Sequence, residues 1–231
     1  HIWEEPYVAA CAQVAAAAPK AARVVPATFQ NIVKSYPPPL GYYERSVMRR
    51  ASGWIAFGQT VHEAQSTKPR YAAKPSRVIP PGVDVERFRP DAAARAATLS
   101  RLGWCDDTPV VGFLGRFIAA KGVRVLMQAL DGVGEPWRAL FVGGGPMAED
   151  LTAFANAHPG RVRVLTGVSH DDVPAHLAAM DVLCAPSQTT TRWREQFGRM
   201  LIEAMACGVP IIASRSGDIP HVVGDAGLIV S

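Results

Sequence analysis

The chain is expected to be an α/β protein, with a doubly wound parallel sheet in its second half and the tail of another domain before it. Three observations predict this. From residue 109 onward, runs rich in Val, Ile and Leu on both faces alternate with amphipathic stretches of helical period. Most of those runs end in glycine or a polar loop, as strands of a sheet covered on both sides do. The 231 residues are 48% apolar and 19% charged, enough for a sizeable core and too polar for a membrane bundle.

The elements of the second half follow from these signals. "PVVGFLG" (109–115) reads as a buried strand and "KGVRVLMQAL" (121–130) as the helix after it. "RALFVGG" (138–144) is the next strand, followed by a helix from Pro146 to Ala157. Strand "VRVLTG" (162–167), helix "DDVPAHLAAM" (171–180) and strand "DVLCAPS" (181–187) continue the alternation. Helix "GRMLIEAMA" (198–206), strand "VPIIAS" (209–214) and a last strand "AGLIVS" (226–231) complete it. This order describes a Rossmann-like domain.

The first half is less regular. Helices over 7–17 and 41–51 and strands at "ARVVPAT" (22–28) and "WIAFG" (54–58) are expected, which are too few strands for a separate sheet. "SYPPPLG" (35–41) is an extended turn, because consecutive prolines deny helix to the residues before them. The Pro-Pro-Gly of "RVIPPGVDVERFRP" (77–90) reads as a linker. There is no initiator Met, and the last strand runs to Ser231. The expected organisation is therefore a partial domain over 1–80, a linker and connecting helix over 81–107, and a ligand-binding domain over 108–231 lacking its closing helices.

Charge and cysteine usage narrow the function classes. Residues 1–90 hold twelve Lys and Arg against six Asp and Glu, so the net charge of +4 originates there. That excess is either a solvated basic surface or a contact with an anionic membrane face or an acidic acceptor. No basic-aromatic interleaving points to nucleic acid. Cys11, Cys105, Cys184 and Cys207 share no CxxC spacing, so buried reduced thiols and a cytoplasmic protein are expected, without a metal site. "YVAACAQVAAAA" (7–18) is too short to span a bilayer and lacks the charged flank of a signal peptide.

In a doubly wound sheet, ligands bind beyond the carboxyl ends of the strands, so the residues leaving each strand are the candidates. Arg116 and Lys121, after Gly115, are two cations suited to a diphosphate. Gly144, central in Gly143–Gly145, lets backbone approach a ligand. Val168 follows the third strand. Gly198 opens a helix whose free N–H groups attract phosphate oxygens. Glu203, inside that helix, can accept two hydrogen bonds from vicinal hydroxyls, and Glu195, in the loop before it, can do the same for a second sugar. A GGG run alone is more often a tight turn, and a strand-end Arg a surface charge. Their coincidence on one sheet edge points to nucleotide binding. The absence of GxGxxG after the first strand argues against a dinucleotide dehydrogenase.

These residues carry a family resemblance. "EQFGRMLIE" resembles the E-x7-E motif of the retaining GT-B glycosyltransferases of family GT4. "EAMACGVPIIAS", "RVIPPGVDVERFRP", "GFLGRFIAAKG", "FVGGGP" and "GDAGLIV" extend the match nearly continuously from Arg77 to Ser231. "EEPY", "FQNIVKSYPPP" and "ERSVMRRASGWIAFG" resemble the latter half of such enzymes' acceptor domain. The resemblance implies a GT-B fold, a near-complete Rossmann-like donor domain preceded by part of an acceptor domain. It also implies transfer of a sugar from a nucleotide-diphospho-sugar to a glycan, lipid or small-molecule acceptor, with retention. Arg116 and Lys121 would then hold the diphosphate and assist its departure, Glu203 the ribose and Glu195 the donor sugar. Backbone at Phe197, Gly198 and Arg199 would meet sugar and phosphate, and Val168 would lie near the base. No DxD triplet occurs, which agrees with metal-independent catalysis and no cofactor. Where many members place an acceptor-side His, this chain has Trp3 followed by Glu4 and Glu5, so Glu5 and Asn31 are the acceptor-side candidates. A nucleotide-sugar epimerase of the same fold and a non-catalytic nucleotide-sugar-binding segment are the alternatives. Contact with an anionic membrane at its inner face is a further expectation.

Overall fold

The computed structural model describes all residues from His1 to Ser231. Its first half builds helix α1 (Ala9–Ala17), strand β1 (Ala27–Thr28), helix α2 (Leu40–Arg50), strand β2 (Trp54–Ala56), helices α3 (Gln59–Ser66) and α4 (Pro69–Ala72), and strand β3 (Ser76–Val78). The three strands pair in parallel in the order β1-β2-β3. The first half thus has a sheet of its own, contrary to the sequence expectation. The missed strand, β3, sits directly before Ile79, Pro80 and Pro81, where proline masks a short extended run. The strand expected over 22–28 keeps only its last two residues, since Pro26 has no N–H to give a ladder. Pro26 makes an isolated bridge with Ile2 instead.

The second half contains α5 (Ala92–Leu102), β4 (Val110–Arg116), α6 (Val123–Asp131), β5 (Arg138–Gly144), α7 (Ala148–Ala157) and β6 (Val162–Thr166). It continues with α8 (Val173–Ala178), β7 (Val182–Ala185), α9 (Arg199–Ala206), β8 (Ile211–Ser214), α10 (Ile219–Val223) and β9 (Gly227–Val230). Six strands form one parallel sheet in the order β6-β5-β4-β7-β8-β9. Strand order reverses direction between β4 and β7, the topological switch point of a doubly wound sheet.

Alternation along β5 explains the two-sided core. Leu140 and Val142 face a cluster with Leu177, Leu183, Leu201 and Ile219. Ala139 and Phe141 face the opposite cluster with Leu126, Leu130, Leu151 and Phe154. Each fully buried Leu contributes about 1.5–3 kcal/mol. Phe88, Leu102 and Trp104, from the stretch expected as linker and connecting helix, pack into the first of these clusters. Asp91 caps α5 by accepting the Ala94 N–H at 2.8 Å.

By packing, His1–Pro81 with Arg192–Phe197 forms one unit, and Gly82–Thr191 with Gly198–Ser231 forms the other. Cys11 and Cys207 are buried and Cys184 half-buried, but Cys105 is exposed, which corrects the expectation that all four thiols are buried. The apolar neighbour that suggested burial, Trp104, turns inward while Cys105 stays in the loop after α5. No helix is long and apolar enough to cross a membrane.

Candidate functional site

The candidate residues of the second unit gather at the carboxyl edge of its sheet. Arg116 ends β4 and is exposed. It lies in register with Gly144 at the end of β5. The two strand ends are tied by the Phe117 N–H, which donates to the Gly144 carbonyl at 2.7 Å, and by the Met147 N–H, which donates to Phe117 at 3.0 Å. Lys121 closes a short 3-10 turn over Ala119–Lys121 before α6. That turn is clasped to the β7 loop, because the Gln188 N–H donates to the Ala120 carbonyl at 2.8 Å. The loops on both sides of the switch point are thereby joined, and Arg116 and Lys121 lie where β4 leaves the carboxyl edge of the sheet.

The glycines of this edge divide by role. A Cβ on Gly143 would sit 1.8 Å from the Gly115 carbonyl oxygen, so packing alone requires glycine there. A Cβ on Gly144 would meet nothing within 4 Å. Gly144 therefore presents bare backbone to open space at the strand end.

α9 enters this edge by its amino terminus. Gly198 takes a left-handed conformation (φ 83°, ψ 63°) as its N-cap, so the first turn carries no side-chain cap. Its leading N–H groups remain available to an anion. Met200, Leu201 and Ala204 anchor the helix in the core.

Glu203 is 6% exposed and belongs to a network that sequence reasoning did not anticipate. His170 Nε2 lies 3.2 Å and Arg199 Nη2 3.3 Å from the same oxygen, Glu203 Oε1. Arg87 Nη2 lies 3.0 Å from His170 Nδ1, also donates to the His170 carbonyl, and pairs with Asp171 at 2.9 Å. Arginine has only donors, so Nδ1 of His170 accepts and its Nε2–H donates to Glu203. Phe88 packs against the imidazole at 5.6 Å between ring centres. Val168, two residues before His170, is half-buried against the core. His170 lies only two residues beyond a residue already singled out, and a strand-end loop is where a polar ring finds a ligand; that was the available signal.

Glu195 and Phe197 are placed differently from the sequence expectation of a single sheet edge. Both are buried, and both lie in the segment Arg192–Phe197, which packs with the first unit. There Asn31, 1% exposed, donates its side-chain amide to the Glu195 carbonyl at 2.7 Å. Asn31 thus holds backbone of the Glu195 segment. Glu5 is occupied locally: Oε2 accepts from the Thr28 hydroxyl and Oε1 from the Phe29 N–H, both at 2.7 Å. Burial raises its pKa above the ordinary 4.5, against the lowering effect of those two hydrogen bonds.

The chain matches known proteins along most of its length. Residues 108–231 fit the model of the glycosyl transferases group 1 family. A GDP-mannose-dependent alpha-(1-6)-phosphatidylinositol monomannoside mannosyltransferase of Mycolicibacterium smegmatis is 39% identical over 71% of this chain and 46% of its own. The enzyme of that name from Mycobacterium tuberculosis is 37% identical over 80% of this chain and 51% of its own. The chain therefore spans about half the length of the curated relatives it matches. Among solved structures, HepE of Anabaena in complex with UDP superposes with a TM-score of 0.74 at 24% identity, covering 90% of this chain and 58% of HepE. Sucrose-phosphate synthase of Thermosynechococcus elongatus gives 0.70 at 26%, covering 89% and 54%. The parallel six-stranded sheet, its switch-point edge and these matches together show that the chain belongs to the glycosyl transferases of group 1, with the GT-B fold.

Proposed function

We propose that the second unit binds a nucleotide-diphospho-sugar at the carboxyl edge of its sheet, and that the glycosyltransferase containing it transfers the sugar with retention and without a metal. The observation that carries this reading is the meeting of Arg116, Lys121, the bare Gly144 backbone and the uncapped start of α9 around one switch point. Cations and a helix amino terminus at this edge would stabilise a departing diphosphate where a metal would otherwise be needed. Glu203, bonded to Arg199 and oriented by His170, suits the vicinal hydroxyls of a ribose. Glu195 is assigned to the donor sugar. The curated relatives are by name GDP-mannose-dependent, and HepE has been solved with UDP and with UDP-glucose, which supports a nucleotide-sugar donor. An acceptor is assigned to the first unit, with Asn31 holding the Glu195 segment there.

The test is thermal unfolding of the chain with UDP, GDP, ADP and their sugars, beside Arg116→Ala. At about 100 times its Kd a ligand adds roughly 2.7 kcal/mol. A shift with one nucleotide that disappears in the variant supports the reading. An equal shift in both proteins moves the diphosphate away from Arg116.

A further inference from the structure

The first unit carries a basic groove that the proposed donor site does not use. A cavity of about 790 Å³ lies between α2 and α4, lined by Tyr42, Arg45, Met48, Arg49, Pro69, Arg70, Ala73 and Lys74. Four of these are cations and none is a carboxylate. Arg45, Arg49 and Arg70 are exposed, and none of the three forms an ion pair or side-chain hydrogen bond. Lys74 is tied by its Nζ to the Ala51 carbonyl at 2.7 Å. Nearby cations are treated otherwise: Lys68 pairs with Glu44 at 2.7 Å, and Arg50 donates to the Pro19 carbonyl at 2.6 Å.

Like charges stacked at i and i+4, as Arg45 and Arg49 are on α2, destabilise a helix unless an anion lies between them. Three planar guanidinium groups around a concave, carboxylate-free wall suit the oxygens of a phosphate better than a lone carboxylate. The volume fits a headgroup-sized ligand. Position also argues for a separate purpose. Arg49 and Lys74 stand just before β2 and β3, at the amino ends of the parallel strands, whereas ligands of such sheets lie beyond the carboxyl ends.

We propose that the α2–α4 groove binds a phosphate ester, with Arg45, Arg49 and Arg70 as its ligands and Lys74 as a fixed neighbouring charge. The ester has two chemical sources, the headgroup of an anionic phospholipid or a soluble polyol phosphate. Exposed Leu40 and Tyr42 at the start of α2 give the groove an apolar margin.

The experiment uses the whole chain and the variant Arg45→Gln/Arg49→Gln/Arg70→Gln. Co-sedimentation is measured with phosphatidylcholine vesicles containing phosphatidylinositol, and calorimetric titration with inositol 1-phosphate. Arg116→Gln serves as a second protein, since a phosphate that enters the donor edge is lost there and not in the triple variant. Vesicle binding that falls about a hundredfold in the triple variant, roughly fivefold per cation removed, and persists in Arg116→Gln supports a lipid source. Titration heat with inositol 1-phosphate that is lost only in the triple variant, without vesicle binding, supports a soluble source. Binding of neither probe, or binding unchanged in a triple variant that melts like the parent, overturns the proposal.

Discussion

Gly143 and Gly144 are adjacent, yet alanine should act on them through opposite physics. At Gly143 the backbone has φ 152°, and the new methyl would lie 1.8 Å from the Gly115 carbonyl oxygen and 2.9 Å from its carbon. Neither contact can be relieved by a side-chain rotation, because both atoms are backbone of the neighbouring strand. Overpacking of this kind costs about 1–3 kcal/mol, and the strained backbone adds about 1–3 kcal/mol. Gly143→Ala should therefore lose roughly 2–6 kcal/mol in urea unfolding. At Gly144 the methyl meets no atom within 4 Å, and the residue is outside the left-handed region. Gly144→Ala should be neutral or more stable by about 0.4–1 kcal/mol, through the unfolded chain. Its effect should appear in binding instead: a methyl in the open space beside Arg116 should weaken nucleoside diphosphate binding at least about tenfold, ~1.4 kcal/mol. Urea titration followed by tryptophan fluorescence reads the first quantity and calorimetry the second. A Gly144→Ala protein of full stability and unchanged nucleotide affinity would refute the assignment of this strand end to the diphosphate.

Further outcomes follow from the same contacts. Removing the Nε2–H donor by His170→Ala should weaken nucleotide binding roughly fivefold, ~1 kcal/mol for a half-exposed hydrogen bond to a carboxylate; calorimetry should show His170→Gln recovering part of it. Burial raises the folded pKa of Glu5, so its favourable contribution is complete below pH 4.5 and is lost as pH rises through the raised value. Urea midpoints from pH 4 to 8 should accordingly show Glu5→Gln gaining on the parent as pH increases, and parallel curves would disprove the raised pKa. Maleimide labelling of the native chain should modify Cys105 first, because burial pushes the Cys11, Cys184 and Cys207 thiols up to about 11.

The second unit is legible because β4 and β5 are long, apolar and carry glycine at their ends, and the shorter strands after them are apolar runs between polar loops. β5 was expected over 138–144 and spans Arg138–Gly144, and β4 differs by one residue from its expected range. Helix α6 starts two residues later than expected, after the 3-10 turn at Ala119–Lys121, and β8 starts after Pro210, which has no N–H to pair. The first unit was harder to read because its strands have two or three residues, shorter than any periodicity can register. α3 carries a polar sequence, QTVHEAQS, and gave no signal, although its Val61 and Gln65 are buried. At the site, spacing brought out Arg116, Lys121, Gly198 and Glu203. It could not bring out the Arg87–His170–Glu203 network, because two loops far apart in sequence meet α9 only through packing. Nor could spacing foresee that the Glu195 segment would pack with Asn31.

All strand pairs in both sheets are parallel, so no hairpin exists anywhere in the chain. Each rung must wait until a crossover helix has brought its partner back, and the pairing of β4 with β7 spans everything from Phe117 to Asp181. Local contacts cannot nucleate such a sheet, and the loop-closure entropy precedes any reward from pairing. Refolding should consequently be slow, with unpaired β4 and its apolar faces exposed to other chains in the meantime. Dilution, which slows encounters between chains but not the folding of one, should therefore raise the yield of native protein.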